Sequence, residues 1–149
     1  SLIIANVAHQ LLWYRHEPVY EHLWGICHRI EPGIIPFLET ARDGRIEDLD
    51  LDNETTYMST IKATCAALWA LWHYKDPMEA VDRIIHEGGD SDTNGALTLG
   101  LFGLKYGVNR LPADKIENLV GRERVGDIID RFVPAVQTLI EGDKDDDEK

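Results

Sequence analysis

The stretch Glu87-Gly88-Gly89-Asp90-Ser91-Asp92-Thr93-Asn94-Gly95 is where residue type and spacing could do chemistry. Asp90, Asp92 and Thr93 place two carboxylates and a hydroxyl at i, i+2 and i+3, a set of hard oxygen donors that suits Mg²⁺, Mn²⁺ or Ca²⁺ and not zinc or copper. The glycine pair before them carries no Cβ, so an ion or ligand could come close to the backbone of Gly88, Gly89 and the adjoining Ser91. The same residues also have a purely structural use. Asp and Thr cap helix N-termini, and an acid near a helix start gains roughly 0.3–1 kcal/mol from the dipole. Spacing alone leaves both uses open.

A calcium loop is one form the acids could take, because Asp90, Asp92, Asn94 and Gly95 fit the first, third, fifth and sixth positions of an EF-hand. The fit ends there. The residue that should supply a bidentate Glu at the end of such a loop is Leu101, and a glycine pair is foreign to the helix entering one.

The elements that must hold this turn read as helices, since no segment alternates as a half-buried strand would. Ile4, Val7, Ala8 and Leu11 form one stripe; Val19, Leu23, Cys27 and Ile30 form a second after Pro18, read as a first-turn proline, with Pro32 and Gly33 as its stop. Met58, Ile61, Cys65, Leu68 and Trp72 mark a helix whose alanines (Ala63, Ala66, Ala67, Ala70) predict burial on most sides. Asp76-Pro77-Met78-Glu79 reads as cap, first-turn proline and acid, opening a helix with Met78, Val81 and Ile85 inward and Gly88-Gly89 at its end. From about Asp92 to Tyr106 runs a helix containing Gly95, Gly100 and Gly103, each costing roughly 1 kcal/mol relative to Ala. Ala96, Gly100, Gly103 and Gly107 share one face of it, which predicts close approach of another backbone there, with Leu97, Leu101 and Leu104 packing alongside. A last amphipathic helix carries Val125, Ile128, Ile129, Phe132, Val136 and Ile140, and Pro134 predicts a kink or break near residues 130–133.

Length and composition bound the rest. With 149 residues, 44% hydrophobic and 28% charged, the chain is expected to fold as one all-helical domain over residues 1–142, followed by an acidic tail at 143–149. Fifteen Lys and Arg against 27 Asp and Glu give a net charge of −12, which repels nucleic-acid backbones and anionic membranes. The acids concentrate in the tail and between Asp43 and Glu54, a run read as a solvated loop. No apolar stretch approaches the roughly 18 residues of a membrane span and no signal-peptide pattern opens the sequence, so a soluble, cytoplasmic protein is expected. Cys27 and Cys65 read as core thiols, with a disulfide between them as the alternative. His86 reads as a helix C-terminal cap, while His16, His22 and His28 fall on different helix faces and form no metal cluster. Trp13, Trp24, Trp69 and Trp72 lie at helical spacings typical of core and receive no role. The opening stripe starts so early that only Ser1 could cap it, as though the chain began inside a larger architecture.

The ordered set formed by AALWALW, the helix feeding GGDSDTN, the Gly-rich GALTLGLFGLKYG and Leu111-Pro112 resembles the ADP-ribosylglycohydrolases, a family that includes dinitrogenase-reductase-activating glycohydrolases and some lens J1-crystallins. The resemblance covers about Tyr57 to Leu119. It implies a compact, orthogonal all-α bundle and hydrolysis of the bond joining ADP-ribose to a side chain or other acceptor with two Mg²⁺ or Mn²⁺ ions. It makes Asp90, Asp92 and Thr93 the downstream metal ligands, with Asp92 bridging both ions and so assigned to catalysis through water activation. Ser91 and Asn94 stand where many members have Thr and an apolar residue, and neither change removes a ligand.

Members are about twice this length and draw further ligands from an upstream Thr-Asp-Asp run, together with an acidic catalytic residue. No such run occurs here; Asp48-Leu49-Asp50-Leu51-Asp52 lacks the Thr and falls on the wrong side of the Ala-rich helix. The chain is therefore expected to be the C-terminal half of a split, truncated or processed enzyme, inactive alone, with ADP-ribosylated substrate and a complementary N-terminal half as partners. A catalytically silent, crystallin-like or regulatory member and a Ca²⁺-binding helical module are the alternatives.

Overall fold

The computed structural model describes residues 2–14 and 18–144, with side-chain surroundings through residue 138. Ser1 with its expected cap, His16, and the acidic tail from residue 145 onward lie outside the described residues. The helices are α1 (Leu2–His9), α2 (Tyr20–Ile30), α3 (Ile35–Asp43), α4 (Thr60–His73), α5 (Pro77–His86), α6 (Ser91–Tyr106), α7 (Ala113–Glu117) and α8 (Arg122–Lys144). A π-helical turn follows α1 at Gln10–Tyr14, and 3₁₀ turns occupy Pro32–Ile34, Ile46–Leu49 and Val108–Arg110. The described residues contain no strand, in agreement with the all-α expectation. None of their helices is long and apolar enough to cross a membrane. The chain divides into two compact units, Ser1–Leu111 and Pro112–Lys149.

Within the first unit α4 is the central element. Every residue from Lys62 to Leu71 is buried, and its small side chains let α3, α5 and α6 pack directly on it. Met58, expected at the head of its stripe, lies before the helix and is exposed, because the Ser59 side chain accepts the Lys62 N–H at 3.4 Å and starts the helix after it. Donors along α4 then fasten distant backbone. Trp69 Nε1 donates to the Gly44 carbonyl at 3.0 Å and Trp72 Nε1 to that of Pro18 at 3.2 Å, so each indole buries its apolar body without stranding its N–H. His73 Nε2 lies 3.0 Å from the Arg42 carbonyl, satisfying one of the free acceptors at the end of α3. Trp13 and Trp24, in contrast, are exposed.

Lys62, almost fully buried, donates from Nζ to the Asp50 carbonyl and sits 3.7 Å from the Asp50 carboxylate. This contact corrects the view of Asp43 to Glu54 as a solvated loop. Ile46, Leu49 and Leu51 of that run are buried in the core, while its acids face outward. Alternation of acid and apolar residue here serves a tight, irregular turn, with Asp50 at φ 49°. Asp48 accepts the Arg45 N–H at 3.0 Å, and Arg83 of α5 pairs with Glu47 at 2.6 Å.

Other elements depart from expectation for identifiable reasons. Periodicity gives no sign of α3, because only Leu38 and Ala41 of its 9 residues are buried. Pro18 precedes the Val19 cap of α2 and so lies outside its first turn; the helix buries Leu23, Ile26 and Cys27 and exposes Val19 and Ile30. On α5 the inward stripe is Pro77, Ala80, Val81 and Ile84, and Ile85 is exposed. α8 runs unbroken through Pro134. A proline removes the donor for the carbonyl four residues back, and exposed Asp130 can satisfy that carbonyl with water. Cys27 and Cys65 are both buried and free.

The Gly-rich face of α6 is the clearest correction. A Cβ at Gly100 would meet nothing within 4 Å, and one at Gly103 would meet only the Leu111 side chain at 3.7 Å. Close approach happens instead at Gly95, where a Cβ would stand 3.3 Å from Val81 of α5. The core face of α6 is Asn94, Gly95, Thr98, Leu101 and Phe102. Gly100→Ala should therefore raise unfolding stability by about 1 kcal/mol, read from the urea midpoint at unchanged m-value; a loss would restore the close-packing explanation.

Candidate functional site

α5 delivers the chain to the candidate site through a defined cap. Asp76 accepts the N–H groups of Met78 and Glu79 at 2.8 and 3.0 Å, Pro77 occupies the first turn, and Glu87 closes the helix. In the last turn His86 Nδ1 donates to the Asp82 carbonyl at 3.0 Å, which matches the structural role read from the sequence. Gly88 and Gly89 then take left-handed φ of 76° and 66°, reversing the chain in two residues. α6 begins at Ser91.

The reversal is moulded against the acidic loop. The Gly89 N–H donates to Asp52 Oδ1 at 3.2 Å, and a Cβ on Gly88 would stand 3.0 Å from that carboxylate. At Gly89 a Cβ would collide with the Leu51 carbonyl. Asp52 is the functional neighbour that sequence reasoning missed; the run was recognisable as acidic, but nothing in its spacing says that it meets the turn.

Asp90, Ser91, Asp92 and Thr93 form the first turn of α6 and its approach, where backbone N–H groups and the dipole favour negative charge. Asp90 is the N-cap residue, yet its side chain makes no capping hydrogen bond. Its carboxyl instead approaches that of Asp92. A hydrogen bond from Asp90, followed by that from the Thr93 N–H at 3.0 Å, holds the Asp92 carboxyl below the usual carboxylate range. Ser91 turns its hydroxyl back to the Gly89 carbonyl at 3.3 Å, which ties the turn internally.

Asp90 and Thr93 also line a cavity of about 450 Å³, whose walls come from α1 (Ile4, Ala5, Ala8), the start of α4 (Met58 to Thr60, Ala63, Thr64) and Leu97. Asp92 is not among the residues lining it. The EF-hand alternative loses its geometry here, since Asp92 to Gly95 are already helical and Asn94 is 1% exposed on the core face, its Nδ2 without a partner. Among the described residues no three His, Cys, Asp or Glu side chains converge to hold a metal ion. The two carboxylates and the Thr93 hydroxyl nonetheless fit Mg²⁺ or Mn²⁺ in donor chemistry, as a partial set.

The all-helical fold is in agreement with a comparison against models of known protein families. The ADP-ribosylglycohydrolase model matches residues 7–142, well beyond the Tyr57 to Leu119 region that carries the sequence resemblance. The chain belongs to the ADP-ribosylglycohydrolase family, and a glycohydrolase function in general follows from that membership. No curated protein and no solved structure matches it.

Two outcomes test this geometry. Gly89→Ala should destabilise the chain by about 2 kcal/mol or more through backbone strain and the Leu51 collision, as read by urea unfolding. In carboxyl-resolved NMR titration Asp92 should stay ionised below the ordinary carboxylate range, protonate only as pH falls through its lowered value, and move back toward that range in Asp90→Ala; an Asp92 indifferent to Asp90 would refute the pairing.

Proposed function

We propose that the chain supplies the downstream ligand turn of a metal-dependent hydrolase that cleaves the glycosidic bond between ADP-ribose and a protein side chain or other acceptor. The observation that carries this is Asp90, the N-cap residue whose side chain makes no capping hydrogen bond, beside Asp92 at the start of α6 in a chain of this family. Asp90, Asp92 and Thr93 would hold the ions, with Asp92 shared between two of them. Bound there, the two Mg²⁺ or Mn²⁺ ions would supply Lewis acidity toward a water and the terminal ribose.

The chain's own residues contribute position and charge. The start of α6 places both carboxyls beside its backbone N–H groups and the positive end of the dipole, which favours negative charge there. Gly88 and Gly89, expected to admit a ligand, give that space to Asp52 and the Leu51 carbonyl, so their contribution is the tight reversal that leads into Asp90. Ile4, Ala8 and Leu97 give the cavity beside Asp90 and Thr93 an apolar wall.

Mg²⁺ takes six ligands, and three side chains from one turn leave half of that shell to water, so binding by this chain alone is weak. The remaining ligands, and the acidic catalytic residue, come in this reading from a Thr-Asp-Asp-bearing segment that this sequence does not contain. Mixing the chain with such a complementary segment and Mg²⁺ or Mn²⁺ should release ADP-ribose from an ADP-ribosylated protein, and Asp92→Asn should cut the rate by about a hundredfold or more, some 2.7 kcal/mol. Turnover that survives both chelator and Asp92→Asn would overturn the metal role. A folded complex with no turnover would favour the silent, crystallin-like alternative, and a response confined to Ca²⁺ would favour the calcium module.

A further inference from the structure

The acidic loop presses on the ligand turn from a base that is itself fixed. Lys62, almost fully buried in α4, holds both the Asp50 carbonyl and its carboxylate. Leu51 is anchored in the core at 3% exposure. The next residue, Asp52, turns its carboxylate outward onto the Gly88–Gly89 reversal, where Oδ1 accepts the Gly89 N–H at 3.2 Å and packs where a Gly88 Cβ would go. Two successive glycines are the most conformationally free pair a chain can place before a ligand. With no anchor, the chain entering Asp90 would sample many conformations, and a cation gripping Asp90 beside the helix-fixed Asp92 would have to order it on binding.

We infer that Asp52 is the positioning residue of the Asp90–Asp92 site: its hydrogen bond to the Gly89 N–H freezes the glycine turn so that the two carboxylates are pre-set for a divalent cation. The inference rests on the metal-site reading above for what is positioned, and on this geometry alone for how. Asp52 is not itself a ligand in this arrangement, since it does not converge with Asp90 and Asp92 on a common point. It acts through the backbone, as outer groups around metal sites commonly do.

An amide oxygen can accept the same N–H, so the two substitutions of Asp52 separate positioning from charge. On the full chain with Mn²⁺ alone as probe, water-proton relaxation should show Asp52→Ala binding about tenfold more weakly, and Asp52→Asn binding within about twofold of the parent. Gly89 amide exchange, followed by NMR without metal, should accelerate about tenfold in Asp52→Ala and return to parent behaviour in Asp52→Asn. Equal loss in both variants would make Asp52 an electrostatic contributor and overturn the inference, as would parent-like Gly89 exchange in Asp52→Ala or outright unfolding of that variant. A parent chain silent toward Mn²⁺, with the expected exchange pattern, would sink the metal reading and leave the Gly89 anchor standing.

Discussion

The α-carbon of Gly89 lies against the Leu51 carbonyl at a separation that leaves no room for a side chain, and the rest of the candidate site depends on that contact. From it the order of support can be followed inward. Leu51 is in the core, Asp50 is gripped by Lys62, and Lys62 belongs to α4, around which α3, α5 and α6 pack. From it the order of consequence runs outward to the glycine reversal, the start of α6 and the two carboxylates. The turn is thus built from its most permissive residues and held by the least mobile part of the unit. That division fixes the direction in which the chain enters α6.

Electrostatics follow the same plan. The acids of the loop face solvent while Lys62, Arg45 and Arg83 draw on several of them, so the strongly negative run does not simply repel itself. At the start of α6 no ion pair of the described residues reaches Asp90 or Asp92; what holds the Asp92 carboxyl is hydrogen bonding with the Asp90 side chain and from the Thr93 N–H. Negative charge at this point is thus supported by hydrogen bonds and by the helix start.

Much of this was legible in the sequence, and what was not has a common cause. α4, α5 and α6 announce themselves through periodicity, the Asp76-Pro77 cap and the glycine stop, because those signals are local. The placement of Asp90, Asp92 and Thr93 at a helix start was visible for the same reason. Contacts between distant segments were hidden. Asp52 meets Gly89 across the whole of α4 and α5, and no pattern within either segment encodes that meeting. Small residues on α6 show that close packing is allowed and do not say which are used: Gly95 meets Val81, while Gly100 faces open space. The acidic loop was misjudged because its charges dominate the composition, whereas its fold is set by Ile46, Leu49 and Leu51 underneath. The cavity beside Asp90 combines α1 with the start of α4, a junction that only tertiary structure creates.

The two cysteines have a practical corollary. Burial pushes the Cys65 thiol up to about 12, with the nearby Cys27 sulfur adding to the effect, and burial raises Cys27 as well. Thiolate is the nucleophilic form, so in the native chain both sulfurs are shielded from alkylating agents by chemistry as well as by access. Modification then waits for the core to come apart, and the labelling of these sulfurs becomes a clock for how often α4 separates from its neighbours, written into the molecule without any engineered probe.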